Sequence, residues 1–216
     1  MAVVTIRGQL GSGAPEVAKH IADRLQADYV DREIIAKVAA RLQREEEEVK
    51  AKETPPTTLL GRIAEALEHS YAFGDGVAGA YLSLGEIPLE DTRYLQALES
   101  VVKDLVRKQP LVIVGRGSQF ILKDYPGALH VLIVAPLQVR MKRLMESRKL
   151  DQESARLELE RSDKSRREFI RRYFKAEVED PVHYDVVLNT ECLSIQAASS
   201  IVVHALPLKA QTKQPL

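Results

Sequence analysis

Two apolar runs constrain the fold more than any other feature of the chain. "PLVIVGRGS" climbs from Pro110 through Val114 and stops at Gly115, and "ALHVLIVAP" runs from Ala128 to Pro136. Neither alternates apolar with polar residues, so each reads as a strand buried on both faces, which is how strands of a parallel sheet are built. Both are too short to cross a membrane as a helix, which takes about eighteen or more apolar residues. No run of that length occurs elsewhere in the 216 residues.

The intervening segments supply the crossovers that parallel strands require. "AVVTI" is β-branched and bounded by Gly8, and Val17, Ala18, Ile21, Ala22 and Leu25 then recur at helical spacing. "ADYV", Ala27 to Val30, predicts a short strand ending at Asp31, and Ile34, Ile35, Val38, Ala39 and Leu42 mark one face of a further helix. The glutamates Glu45 to Glu48 read as its solvated continuation, since helical neighbours point in different directions. From Thr54 to Asp91 the pattern is irregular and glycine-rich. Helices are predicted from about Leu89 to Lys108, over Leu137, Met141, Leu144 and Met145, from Gln152 to about Lys175 and from Ile195 to Leu206, with "YDVVLNT" as a last strand. The alternation predicts one α/β domain, a parallel β-sheet covered by helices on both faces.

Lysine plus arginine number 31 and aspartate plus glutamate 31, so no global field draws the chain to nucleic acid or to an anionic membrane, and neither is an expected partner. Any anion site must come from local clustering. The single Cys192 excludes an intramolecular disulfide framework and suits a reducing cytoplasm, the expected location.

Three clusters carry chemistry. The first is "GQLGSGAPEVA": a glycine-rich turn between strand and helix directs backbone N–H groups at anionic oxygens. In the full phosphate-loop pattern a lysine and then a hydroxyl residue follow the last glycine. Here Ala14 and Pro15 stand in those places, and Pro15 is tolerated in a first helical turn. The glycine spacing required by a dinucleotide fold is also missed, which argues against nicotinamide cofactors. The second cluster is Arg116, just beyond an apolar strand, where ligands of open α/β sheets collect and where a planar guanidinium suits phosphate. The third is "RSDKSRREFIRRYFK", Arg161 to Lys175, which on a helix sets Asp163 four residues from Arg167 and Arg167 four from Arg171. An arginine-rich lid of this kind suits phosphoryl transfer, which needs positioning and charge neutralisation. Each cluster also has a plain structural reading: a ligand-free turn, an arginine paired at the sheet edge, a solvated helix.

Taken in order, "GQLGSGAPEVA", "YVDREII", "LVIVGRGSQFIL", "HVLIVAPLQVRMKRLM", "RSDKSRREFIRRYF" and "DPVHYDVVLNTECL" resemble the cytidylate kinase-like family of P-loop proteins over nearly the whole chain. The resemblance implies a P-loop NTPase fold with a helical segment for the nucleoside monophosphate at 32–109 and an arginine-bearing lid at 150–180. It implies donor binding by Gly8, Gly11, Ser12, Gly13, Ala14, Pro15 and Glu16, and acceptor binding by Asp31, Arg32 and Arg116. Arg116, Arg161, Asp163, Arg166 and Arg167 are then the expected catalytic group, with ATP and Mg²⁺ as cofactors. Members often carry arginine where Gly8 and Pro15 stand; this chain has neither, and Arg7 lies one residue away on the opposite face of its strand. Glu16 takes the register of the Mg²⁺-binding hydroxyl of monophosphate kinases, where a carboxylate either holds the metal or repels the nucleotide.

Two functions compete. One is a phosphotransferase moving the γ-phosphoryl of ATP to a nucleoside monophosphate such as CMP or dCMP. The other is a nucleotide-binding or regulatory module that keeps the kinase fold without catalysis, because a lysine on transferring phosphates is worth several kcal/mol. No metal ligand set, acceptor identity or oligomeric state follows from the residues alone.

Overall fold

The computed structural model describes residues 2–31 and 89–211, without side-chain detail at 89–93 and 210–211. The helix expected over Ile34–Leu42, the acidic run Glu45–Glu48, the irregular stretch from Thr54 and Arg32 therefore lie outside the described residues. In chain order the elements are β1 (Val3–Gly8), α1 (Ala14–Leu25), β2 (Asp28–Val30), α2 (Leu89–Leu105), β3 (Leu111–Val114), α3 (Ser118–Ile121), β4 (Ala128–Val134), α4 (Leu137–Arg148), α5 (Gln152–Phe174), a 3₁₀ turn (Pro181–His183), β5 (Val186–Asn189) and α6 (Ile195–Gln211). No helix among the described residues is long and apolar enough to cross a membrane.

The strands form one five-stranded sheet in the order β2-β3-β1-β4-β5, and every pairing is parallel. The two long apolar runs become β3 and β4, which flank β1 on either side. Val4 and Ile6 of β1, Val112 of β3 and Leu129, Val131 and Ile133 of β4 project to one face. There they meet Val17, Ala18 and Ile21 of α1 and Ala198 and Val202 of α6 in a common core. Each large aliphatic side chain fully buried in this way contributes about 1.5–3 kcal/mol. Inside β1 and β4 the apolar pattern is interrupted by one buried polar pair. Thr5 and His130 are register partners, both buried, and Thr5 Oγ1 lies 2.8 Å from Nδ1 of His130, so each polar group satisfies the other.

The chain divides into two compact units. One comprises Met1–Asp31, Val102–Gln152 and Glu179–Leu216 and contains the whole sheet; the other comprises Arg32–Val101 and Glu153–Val178. In the second unit α5 buries Ala155, Leu159, Ser162, Ser165, Ile170 and Tyr173 along one stripe. Tyr173 sits between aromatic neighbours, with ring centroids 5.7 Å from Tyr94 and 4.9 Å from Phe169.

Candidate functional site

Strand register decides what can meet at the carboxyl edge of the sheet. Ile6 pairs with Val114, and Val30 pairs with Ile113. The glycine loop after β1, Arg116 after β3 and Asp31 after β2 therefore leave three neighbouring strands at nearly the same level. A further tie fixes this, since Gly115 N donates to the carbonyl of Ile6 at 2.9 Å. In open parallel sheets this edge is where ligands bind.

The loop between β1 and α1 is shaped by its glycines. Gly11 and Gly13 have φ of 75° and 80°, a left-handed conformation that side chains resist. A Cβ on Gly11 would lie 2.7 Å from the carbonyl oxygen of Arg140, so α4 presses directly against the turn. A Cβ on Gly8 would lie 2.1 Å from Cβ of Ala14 and 2.9 Å from Oγ of Ser12. The loop closes on itself tightly enough that no side chain fits at position 8. Gly13 caps α1 with no side-chain hydrogen bond. First-turn amides have no acceptor within their own helix, so those of Ala14 and Glu16 stay available to an anion.

The loop carbonyls are held from outside. Arg140 Nη1 donates to the carbonyl of Leu10 at 3.4 Å, Arg143 Nη1 to that of Gly11 at 3.4 Å, and Thr190 Oγ1 to that of Ser12 at 2.6 Å. Arg143 is itself clamped, with Nη1 2.9 Å from Thr190 Oγ1 and Nη2 donating to the carbonyl of Thr190 at 2.7 Å. In a planar trans peptide the C=O of one residue and the N–H of the next point oppositely. Carbonyls of Leu10 and Ser12 drawn outward thus turn the N–H groups of Gly11 and Gly13 inward. The Ser12 N–H closes the turn on the carbonyl of Gln9 at 3.0 Å.

Arg140, Arg143 and Thr190 are residues that hydropathy reading passes over. The expected apolar stripe of α4 included Leu137, but Leu137 is 45% exposed while Arg140 is only 5% exposed. The Leu10 carbonyl gives the buried guanidinium of Arg140 an acceptor. A pair of arginines three apart, right after a strand adjacent to β1, is the signal that was present in the sequence.

Arg116 occupies a strained backbone. Its φ is 59°, between Gly115 at 75° and Gly117 at 68°, so three consecutive residues are left-handed. A non-glycine residue there costs about 1–2 kcal/mol, and such cost persists where surrounding structure fixes the side chain's placement. Arg7 projects from the face of β1 opposite to Ile6 and donates from Nη1 to the carbonyl of Gly8 at 3.1 Å. Near it, Tyr184 accepts from Nε2 of the buried Gln119 at 3.2 Å. Burial pushes the Tyr184 phenol up to about 12, with the Arg7 charge and the Gln119 bond opposing. Glu16 is exposed; its Oε2 lies 4.0 Å, and Arg143 Nη1 3.9 Å, from the point a Cβ on Gly13 would occupy.

Arg161, Asp163, Arg166 and Arg167 all lie on α5, Arg161 exposed and the other three half-buried. The expected row of arginines ends at Arg171, which donates through Nε and Nη2 to both carboxylate oxygens of Glu177 at 2.8 and 3.1 Å. That pair raises the guanidinium's affinity for its proton.

The decisive comparison is with protein families: the model of the cytidylate kinase-like family matches residues 3–192. This chain belongs to the cytidylate kinase-like family. Among its relatives, a cytidylate kinase of Methanosarcina barkeri is 25% identical over 193 residues, covering 87% of each chain. A cytidylate kinase of Natronomonas pharaonis is 25% identical over 158 residues, 69% of this chain and 82% of that one. Among solved structures, an uncharacterized protein from Eubacterium ventriosum superposes with a TM-score of 0.68 at 18% identity, covering 96% of this chain and 99% of the other. Shikimate kinase from Bacteroides thetaiotaomicron gives a TM-score of 0.51 at 10% identity, covering 95% and 98%. These likenesses identify the fold as that of P-loop kinases, and the expected α/β architecture is the one found.

Proposed function

We propose that this cytidylate kinase-like chain is an ATP-dependent kinase acting on a nucleoside monophosphate of the CMP or dCMP type. The observation that carries the reading is the convergence of the glycine loop, Asp31 and Arg116 at one edge of the sheet, set by the register of β1, β2 and β3. The loop N–H groups would cradle the donor phosphates. Arg116 would hold the acceptor phosphate, with Asp31 and Arg32 orienting the acceptor. Arginines of α5, among Arg161, Arg166 and Arg167, would neutralise charge on the moving group, with Asp163 steadying Arg167. The named relatives are both cytidylate kinases, which favours a pyrimidine acceptor.

The loop fits polyphosphate by its own geometry, because glycines at 8, 11 and 13 leave no room for side chains there. When Mg²⁺ is bound, its charge would offset that of the phosphates. The described residues hold no cluster of three or more His, Cys, Asp or Glu able to retain a metal by themselves, and the exposed carboxylate of Glu16 is the group placed to share one with the nucleotide.

A second reading has its own observation. Ala14 is 3% exposed and packed against Gly8, so the position that bears the phosphate-loop lysine adds no charge. A coupled phosphotransfer assay with ATP, Mg²⁺ and CMP, dCMP, UMP or AMP separates the two. Turnover with a pyrimidine monophosphate is the expected result. Thermal stabilisation by ATP with no turnover on any acceptor would make the chain a nucleotide-binding module. Absence of both effects would defeat both readings.

A further inference from the structure

A loop that lacks its lysine still needs positive charge if it is to hold a triphosphate, and the structure places such charge behind it. Arg140 and Arg143, three residues apart on α4, present their guanidinium groups to the carbonyls of Leu10 and Gly11. Arg143 is the better defined of the two. Three of its N–H bonds are accounted for by Gly11 and Thr190, and Thr190 continues the chain of hydrogen bonds to the carbonyl of Ser12.

We infer that Arg143 replaces the missing loop lysine electrostatically, setting a fixed cation behind the phosphate cradle. The inference rests on the nucleotide-binding reading above and adds the source of the charge. It requires no contact between Arg143 and a phosphate. The lysine of an ordinary phosphate loop swings on a flexible stem, whereas a guanidinium bonded to both oxygens of Thr190 is already ordered and loses little further freedom when ligand arrives. The side of the loop opposite the anion is therefore the positive one. The exposed carboxylate of Glu16 flanks Gly13 on the same helix turn and opposes it in sign.

A merely structural clasp and a charge make different predictions. Arg143→Gln removes the charge and keeps a donor. Arg143→Lys keeps the charge and loses the fork to Thr190. Thr190→Val keeps the charge and removes the hydroxyl link. Dissociation constants for ATP and for inorganic triphosphate, measured by calorimetry at low and high salt, read out the difference. Arg143→Gln should weaken both ligands at least about tenfold, as expected for a nearby unit charge at a partly solvated site, and should flatten the salt dependence. Arg143→Lys and Thr190→Val should stay within about threefold of the parent, since a retained charge is what matters at this distance. Adding Ala14→Lys to Arg143→Gln should restore triphosphate affinity. Unaltered binding by Arg143→Gln would overturn the inference. So would equal losses in Arg143→Gln and Arg143→Lys, which would make the residue a clasp alone. If the parent chain bound neither ATP nor triphosphate, the nucleotide-binding reading itself would fall, and this inference with it.

Discussion

The methyl group of Ala14 occupies the space that a side chain on Gly8 would need, with an added Cβ falling 2.1 Å from it. The two positions are therefore coupled: a side chain at 8 demands glycine at 14. Gly8→Ala should cost about 1–3 kcal/mol of unfolding free energy, the usual range for overpacking. The cost should shrink in an Ala14→Gly background, and a double-mutant cycle by urea unfolding measures the coupling. Equal costs in both backgrounds would show that the loop opens to accommodate the methyl.

Ser12 lies at the centre of the loop with its hydroxyl fully buried and, among the described residues, without a hydrogen-bond partner. Its backbone is well held, through Gln9 and Thr190. Removing an unpaired hydroxyl gives back its desolvation cost and loses no bond. Ser12→Ala should leave urea stability within about 0.5 kcal/mol of the parent or raise it slightly. A loss above about 1 kcal/mol, the size of a typical hydrogen bond, would reveal an unrecognised partner for the hydroxyl.

What could be read from the sequence depended on how local its cause is. β3 and β4 were legible because burial on both faces leaves a continuous apolar run, and α1 because its core positions repeat at helical spacing. The loop was legible because left-handed turns need glycine at Gly11 and Gly13. The clasp of Arg140, Arg143 and Thr190 was not, because its partners are loop carbonyls more than a hundred residues away in the chain. On the same helix Leu137 faces solvent. The short helix α3 and the 3₁₀ turn at Pro181–His183 went unmarked, since neither is long enough to show a period.

The left-handed backbone at Arg116 separates its contribution to function from its cost to stability. Arg116→Ala should raise the KM for the nucleoside monophosphate more than that for ATP, because the side chain is assigned to the acceptor. Arg116→Gly should show the same kinetic loss yet be more stable than Arg116→Ala by about 1 kcal/mol, since only glycine adopts this φ without strain. Steady-state kinetics beside urea unfolding tests both halves. Equal loss of donor and acceptor affinity would remove Arg116 from its role, and equal stability of the two variants would remove the strain.

His130 links folding to pH. Burial holds its imidazole below the ordinary value; Asp185 opposes this and Lys209 reinforces it. The groups facing it are Thr5 across the sheet, the backbone of Leu122, whose hydrogen bond favours imidazolium, and Asp185, whose Oδ2 accepts from the His130 backbone at 2.9 Å and whose Oδ1 accepts from Lys209. With the folded value lowered, the unfolded chain binds the proton more readily. Stability from this group is therefore fully present above about pH 6.5, the unfolded value, and is lost as pH falls from there toward the lowered folded value. The slope for one proton is at most about 1.4 kcal/mol per pH unit. Urea unfolding at pH 8, 6.5 and 5 should show this decline in the parent, and His130→Asn should show a shallower one. Asp185→Asn removes the charge that favours imidazolium while keeping an oxygen for the backbone bond, so its decline should extend to lower pH than the parent's. A pH profile identical for the parent and His130→Asn would place the sensitivity elsewhere.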